Sequence, residues 1–348
     1  MSATRLQWLI ASISLLAVSC TEPLSYSGDK DDPIANFEHL AKIVEEHYCF
    51  FSQKDIDWNV VTAEYRAKIN EDTDPVTLFI TLGAMLDELR DGHVNLSAPF
   101  ATSYYKKWWS DYPQDFDDRV LQQYYLKFGG FQIGSIQYAV FLPDTVGYVR
   151  IPSFSYQISP VTLDYVLAAM QNTTGLIIDV RDNGGGYLTN VPEVVGRFLD
   201  HAMTGGYIRH KTGPGADDFS EPYPIEYKPC GKNHVNYLGK EVLVLTNRSC
   251  FSAANDFVAM MKELPQIKIV GATTGGGGGL PFTSELPNGW SVRMSASPIN
   301  DAHDRITEFG IAPSEGYEVH CTPEEFAEGK DAILNFALKY FRSDSEQD

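Results

Sequence analysis

Hydrophobic positions between residues 34 and 89 recur with the spacing of helices. They fall three or four residues apart, as at Phe37, Leu40, Ala41 and Val44. Asp74 followed by Pro75 has the form of an N-cap with proline at the first helical position. These features predict a small bundle of three helices that ends near Arg90.

Beyond residue 145, short apolar runs alternate with amphipathic stretches. The predicted elements are strands at 146–151, 176–180 and 241–246 and helices at 162–170 and 191–199. Alternating strands and helices form layered structures with parallel strand pairing. We therefore predict an α/β (α+β) fold, in which a helical bundle (34–97) and a connecting segment (98–145) precede an α/β domain (146–342).

The N-terminus has the pattern of an export signal. Residues 1–19 carry one charge, Arg5, and an apolar run too short to span a bilayer comfortably. The run ends in Leu-Ala-Val-Ser-Cys, which resembles a bacterial lipobox with Cys20 as the lipidated residue. An ordinary signal peptide and a buried N-terminal helix are the alternatives. The lipobox interpretation predicts that residues 20–33 tether an exported lipoprotein to the cell envelope, at the outer membrane.

Charge and cysteine content narrow the possible functions. The chain of 348 residues has 27 basic and 46 acidic side chains, for a net charge of −19. This charge repels phosphate backbones, so nucleic-acid binding is disfavoured. None of the five cysteines has CxxC spacing, which disfavours zinc and thioredoxin-type sites. Their spacing does not define a disulfide pairing.

The first segment with candidate chemistry is 247–257, where a predicted strand leads through a tight connection into a helix near Ser252. A serine there lies at the carboxyl edge of the sheet, where the N–H groups of a helix can hold an oxyanion. Serine is also a preferred N-cap, so Ser252 either caps the helix or attacks a substrate. The nearby Cys250 would need a base to act as a nucleophile, and is otherwise a small core residue.

Two further segments contain glycine next to polar groups. Residues 181–186 read Arg-Asp-Asn-Gly-Gly-Gly and follow a buried strand. Consecutive glycines allow close approach of the backbone to a ligand, as in an oxyanion hole or a peptide cradle, although a tight packing turn also uses them. In the segment 89–96, His93 follows a glycine and is suited to proton transfer near neutral pH, although a lone histidine is more often structural.

Together these segments resemble the tricorn-core and carboxyl-terminal-processing family of serine peptidases. The motifs are, in order, ELRDGHVNL (88–96), GLIIDVRDNGGG (175–186), LTNRSCFSAANDF (245–257) and IVGATTGGGGG (269–279). The resemblance implies a crotonase/ClpP-like α/β core, Ser252 as nucleophile, and the N–H groups of Gly185 and Ala253 as oxyanion donors. It implies a serine endopeptidase that acts on peptides or proteins at the bacterial envelope through an acyl-enzyme, without metal or organic cofactor.

The family uses two kinds of base. One branch uses a lysine, but this sequence has Gly277 at that position and no lysine between Lys268 and Lys330. The tricorn-like branch uses a histidine from the Asp-Gly-His segment, and the resemblance places it at His93. The sequence therefore resembles the tricorn-like branch.

In that branch a carboxylate orients the histidine. Glu308 is the candidate here, although the usual position of the acid falls on Thr307. His303 and Asp304 are further candidates for the same role, and Glu315 is expected to be structural.

The connecting segment affects the expected substrate. Processing peptidases of this family carry a PDZ domain between the helical part and the core, and residues 98–145 are too few for one. Recognition of a free C-terminus through a PDZ groove is therefore disfavoured. The segment is rich in aromatic residues, which either cover the active site or serve in core packing.

Three other functions stay open at this point. A protein of the same fold could bind a peptide or an apolar ligand without catalysis, a serine site could hydrolyse an ester, and a lipoprotein could be a structural component of a surface complex.

Overall fold

The computed structural model describes residues 28–143 and 145–345. The predicted signal peptide, the lipidation site Cys20 and most of the tether lie outside the described residues. The helices are α1 (Pro33–His47), α2 (Trp58–Arg66), α3 (Pro75–Asp87), α4 (Lys107–Ser110), α5 (Asp118–Val120), α6 (Pro160–Ala169), α7 (Asn190–Val195), α8 (Ala253–Lys262), α9 (Pro323–Ala327) and α10 (Ala332–Ser345). A π-helical turn, Leu121–Tyr125, follows α5.

The strands form two sheets. They are β1 (Asn95–Ala98), β2 (Ala101–Tyr104), β3 (Phe131–Ile133), β4 (Ile136–Phe141), β5 (Val146–Arg150), β6 (Leu176–Asp179), β7 (Met203–Ile208), β8 (Tyr223–Tyr227), β9 (Val242–Thr246), β10 (Ile267–Gly271), β11 (Gly279–Glu285) and β12 (Ser291–Asp301). One sheet has the order β10-β9-β6-β5-β4-β3, and the other has the order β2-β1-β12-β7-β8 with β11 also paired to β12.

The N-terminal helices begin where the sequence supplies caps. Asp32, Asp57 and Asp74 each accept backbone N–H groups from the first turns of α1, α2 and α3. Proline opens α1 and α3, where its missing N–H removes no helical bond. The apolar faces of these helices share one core with β1 and β12, in which Leu40 and Leu82 are fully buried.

The first sheet is a central layer covered on both faces. Its strands β10, β9, β6 and β5 are parallel, and β4 and β3 complete the sheet in antiparallel pairing. Alternate side chains point to a core with α6, α7 and α8 or to a core with α10. Since the carboxyl ends of parallel strands meet at one edge, the loops after β6 and β9 are neighbours.

The result is a mixed α/β fold with N-terminal helices and two sheets. The strands predicted at 146–151, 176–180 and 241–246 correspond to β5, β6 and β9, within one residue. Helix α7 ends at Val195, four residues before the predicted end, because the N–H groups of Arg197 and Phe198 bond to carbonyls three residues back in tight turns. No helix in the described ranges has both the length and the apolar character needed to cross a membrane.

Candidate active site

Ser252 lies between β9 and α8 in a backbone conformation that L-residues rarely adopt. Its φ is 56° and its ψ is −125°, a strained geometry that costs about 1–3 kcal/mol. Hydrogen bonds hold the loop on both sides: the Phe251 N–H donates to Asn183 O at 3.0 Å and the Ser252 N–H to Gly276 O at 2.8 Å. Strain of this kind persists where the surroundings impose it, and it is concentrated at functional sites.

The Ser252 side chain does not cap the helix that it precedes. No N–H group in the first turn of α8 donates to its hydroxyl, whereas Ser159 caps α6 through its side chain. A capping serine normally has an extended backbone, which Ser252 lacks. The Ser252 hydroxyl therefore does not act as a helix cap, and its position needs another explanation.

Gly185 and Ala253 lie beside Ser252, as the oxyanion prediction requires. A Cβ atom added to Gly185 would lie 2.8 Å from Ser252 Cβ and 3.0 Å from Ala253 N, so only glycine fits. The Ala253 N–H is in the first turn of α8 and has no intrahelical acceptor. The Gly185 N–H donates to Asn183 Oδ1 at 2.9 Å. The hydrogen bond to Asn183 must therefore break before the Gly185 N–H can donate to an oxyanion.

His93 reaches the same loop from the helical layer. The centroid of its ring lies 4.7 Å from that of Phe251, the residue before Ser252. Burial lowers the pKa of His93 to about 4, so the imidazole is neutral at pH 7 and can accept a proton. Its side-chain hydrogen-bonding partner within the described ranges is Ser295, whose Oγ lies 3.4 Å from Nδ1. The structure thus brings His93 beside the serine loop without a bond to Ser252 itself.

Glu308 is buried in the site, but its side-chain hydrogen bonds within the described ranges go to Lys54 and Gly278 and not to His93. Its Oε1 lies 2.7 Å from Lys54 Nζ, and its Oε2 accepts the Gly278 N–H at 3.0 Å. Lys54 Nζ also lies 3.7 Å from Asp91 Oδ2. Burial and the nearby negative charge of Asp91 raise the pKa of Glu308 to about 8. The predicted direct support of the imidazole by Glu308 is absent, because Lys54 holds the carboxylate.

The other residues considered for the acid position face elsewhere. Thr307 donates its hydroxyl to Ile299 O at 2.7 Å. Asp304 forms an ion pair with Arg209, and His303 lies 2.9 Å from Glu263. Of these residues, only Glu308 therefore belongs to the cluster around the His93 loop.

Lys54 and Ser295 were not identified from the sequence. Lys54 lies in the connection after α1, and its one local signal is that a cation stands three residues after the aromatic run that ends at Phe51. Ser295 is one of several serines in β12, and nothing in the local pattern distinguishes it. Asp91 fixes the same loop, since its Oδ1 accepts the His93 backbone N–H at 2.8 Å.

The glycine run 275–279 passes between Glu308 and the serine loop. A Cβ atom at Gly276 would lie 1.8 Å from Glu308 O, and one at Gly277 would lie 2.5 Å from the Phe251 ring. Gly277 stands where the other branch has its lysine. A side chain at that position would therefore clash with Phe251.

Cys250 is excluded as a nucleophile by its surroundings. Its thiol is buried and donates to Val180 O at 2.9 Å, and burial raises its pKa to about 12. The thiol is therefore protonated at neutral pH. The four described cysteines, Cys49, Cys230, Cys250 and Cys321, are unpaired. In the part of the chain that the structure describes, no cluster of three His, Cys, Asp or Glu side chains could hold a metal ion.

One aromatic residue of the connecting segment covers the serine loop. The Trp108 ring stacks on Phe251 with centroids 4.2 Å apart, and the Trp108 carbonyl accepts Arg248 Nε at 2.6 Å. Trp108 therefore packs over the loop that carries Ser252.

Comparison with protein-family models gives two matches in this chain. Residues 145–315 match the model described as peptidase family S41, and residues 30–87 match the tricorn protease C1 domain.

Individual proteins agree with this assignment. A crystal structure of a candidate peptidase from Parabacteroides merdae is 42% identical, covers 89% of this chain and 96% of its own, and superposes with a TM-score of 0.84. The tricorn protease of Thermoplasma acidophilum is 25% identical over 56% of this chain. Mature CPAF is 13% identical, covers 90% of this chain and 96% of its own, and superposes with a TM-score of 0.67, which concerns the fold alone.

The curated relatives are much longer than the matched region. The match covers 16% of the Thermoplasma protease and 29% of the carboxy-terminal processing protease CtpB of Bacillus subtilis, which is 25% identical over 43% of this chain. This chain therefore spans less than a third of either relative.

Proposed function

The chain belongs to peptidase family S41, and we propose that it is a serine peptidase with Ser252 as its nucleophile and His93 as its base. The observation that carries this proposal is the state of Ser252. It combines a strained backbone, a hydroxyl that caps no helix, and the neighbouring N–H of Ala253, which has no acceptor within α8. A residue that only ended a strand or began a helix would need none of these features.

The reaction would follow from these positions. His93 takes the proton from Ser252 Oγ, which attacks the peptide carbonyl carbon and forms a tetrahedral oxyanion. The N–H groups of Ala253 and Gly185 stabilise this charge, the latter after release from Asn183. Protonated His93 then gives its proton to the leaving amine. Water, deprotonated by His93, attacks the acyl-enzyme and regenerates Ser252.

The orientation of His93 would depend on Ser295. If Nδ1 carries the proton and donates to Ser295 Oγ, Nε2 is the nitrogen that accepts the proton from Ser252. Glu308 would affect His93 indirectly. Together with Lys54 and Asp91, it holds the loop that carries His93 in position. In this proposal Glu308 is a positioning residue and Ser295 contacts the base.

Labelling with a fluorophosphonate tests the nucleophile and the base. We expect the purified protein to be labelled, and both Ser252→Ala and His93→Ala to abolish the labelling. Ser249→Ala, in the same loop, is the matched control and should label like the parent. Labelling that survives Ser252→Ala would contradict the assignment of Ser252 as nucleophile. Failure to label the folded parent would contradict the proposal that this site is a serine active site.

We propose a peptide or protein as the substrate, cleaved at an internal bond on a crotonase/ClpP-like core. The family membership supports peptide over ester. Kinetics with matched peptide amides and esters test this, since esters react even at weak serine sites. Turnover of esters with none of any amide would favour the esterase alternative.

We also propose that the protein is exported and lipidated at Cys20. The support is the sequence pattern of the first twenty residues and the polar segment that follows. Metabolic labelling with palmitate followed by membrane fractionation tests this proposal. Label and membrane association should both be lost in Cys20→Ala, and equal labelling of the variant would contradict the proposal.

A further inference from the structure

A cavity of about 260 Å³ opens beside α8, one helical turn beyond Ser252. Its walls are mainly apolar, and they include Leu188, Pro192, Ile225, Tyr227, Ala259 and Ile299. A cavity of this kind, with few polar groups among apolar ones, is the usual form of a ligand site.

Asp256 supplies a carboxylate to this cavity, and one of its two oxygens has no partner among the described residues. Its Oδ1 is buried without any hydrogen bond within the described ranges, and the same is true of Asn300 Oδ1 in the same cavity. Burial raises the pKa of Asp256 to about 7. A carboxylate buried among apolar groups is unfavourable unless it is paired. The missing partner is therefore a group that carries a positive charge or hydrogen-bond donors.

The cavity is lined by residues of the two segments that hold the proposed reaction centre. Leu188 and Thr189 in its wall lie two and three residues after the glycine turn 184–186. Asp256 lies in the helix that begins after Ser252, and its own N–H donates to Ser252 O at 3.0 Å. Four helical residues rise about 6 Å, which is within the reach of one side chain from a carbonyl held at Ser252.

We propose that this cavity receives the side chain of the residue whose carbonyl Ser252 attacks, and that Asp256 selects lysine or arginine at that position. This inference rests on the proposed function. The apolar stems of lysine and arginine suit the apolar walls, and their charged heads match the carboxylate of Asp256 in the lining. A neutral side chain would leave Asp256 unpaired, so such a peptide would be cleaved less efficiently than one with lysine or arginine.

Cleavage of a peptide series tests the preference. The peptides differ only in the residue before the cleaved bond, which is lysine, arginine, leucine or glutamate. We expect the parent to prefer lysine and arginine. Asp256→Asn, which keeps the shape and removes the charge, should lower kcat/KM for these two at least about 30-fold and leave leucine within about threefold. Glu193→Gln, an exposed acid on the neighbouring α7, should leave the preference unchanged.

A binding measurement separates this inference from the proposed reaction. Agmatine, which carries a guanidinium on an alkyl chain, should bind Ser252→Ala by calorimetry and should not bind Ser252→Ala/Asp256→Asn. Absence of binding, or binding that survives Asp256→Asn, would overturn the inference. So would cleavage that lacks the basic preference. In each case, peptide cleavage that Ser252→Ala abolishes would still uphold the proposed function.

Discussion

Lys54 and Glu308 are 254 positions apart in the chain and meet at 2.7 Å beside the loop that carries His93. Lys54 comes from the connection after α1, and Glu308 from the segment that passes over the glycine run 275–279. Both side chains are almost fully buried. A buried charge pair is stabilising only when both partners are present, so this contact fastens the helical layer to the α/β layer.

Removal of Lys54 is expected to destabilise the protein strongly. Lys54→Met leaves Asp91 as a buried carboxylate without its cation, and should lower the free energy of unfolding by about 3–5 kcal/mol in urea. Glu308, whose pKa is already raised, then adds a second unpaired charge at high pH. Glu308→Gln added to Lys54→Met should therefore recover part of the loss above pH 8, because an amide cannot carry that charge. Lys42→Met, which breaks an exposed pair with Glu46, should change stability by less than about 1 kcal/mol. Equal effects of the two lysines would contradict the role of Lys54.

The strain at Ser252 predicts an unusual order of stability. Ser252→Gly should be about 1 kcal/mol more stable to urea than Ser252→Ala, since glycine adopts a φ of 56° at little cost. At Ser249, in the same loop but with φ outside the positive region, the glycine variant should be the less stable one. If Ser252→Ala were as stable to urea as Ser252→Gly, or more stable, the prediction of backbone strain at position 252 would be contradicted.

Ser295 is expected to affect turnover rather than substrate binding. A neutral hydrogen bond contributes about 0.5–1.5 kcal/mol, so its loss in Ser295→Ala should lower kcat up to about tenfold with KM unchanged. Ser297 makes a similar contact with His210 at 3.1 Å on the same strand, away from the site. Ser297→Ala should retain parental kcat. A rise in KM alone for Ser295→Ala would contradict a role in orienting His93.

The low pKa of His93 predicts activity that persists in mild acid. Because burial places this pKa near 4, below the ordinary 6.5, the imidazole gains its proton only as the pH falls toward 4. We therefore expect protonation of His93 to leave kcat/KM unchanged between pH 6.5 and 5 and to lower it near pH 4. The substrate for this measurement is a peptide with leucine before the cleaved bond. Unfolding curves at each pH are needed alongside, since the same shift removes up to about 3 kcal/mol of stability between pH 6.5 and 4. A midpoint near 6.5 in folded protein would contradict the buried neutral imidazole.

Local sequence patterns were sufficient to predict much of the fold. The strands β5, β6 and β9 are apolar runs bounded by turns, and the N-caps Asp32, Asp57 and Asp74 lie directly before their helices. These elements depend on residues close in sequence. Helix α7 was predicted too long because apolar residues continue through the tight turns that follow it, so periodicity alone does not mark its end.

The candidate site was only partly predictable. Ser252 and His93 lie in recognisable motifs, and the structure brings their loops together through Phe251. The contacts of Lys54 with Glu308 and of Ser295 with His93 join positions 254 and 202 apart. Such pairs leave no periodic or spacing signal. Asp256 looked like an ordinary helical polar residue, because only the tertiary fold encloses it.

The proposed nucleophile and base are held by different layers of the fold, and the region 145–315 that matches the peptidase family holds Ser252 without His93. Each layer has its own core, and their contact at the site runs through Phe251, Trp108 and the Lys54–Glu308 pair. Either layer could therefore be correctly folded while the enzyme was inert. Activity therefore depends on the alignment of two segments that are far apart in the chain, and the pairing of β1, which follows His93, with β12 fixes that alignment within one sheet.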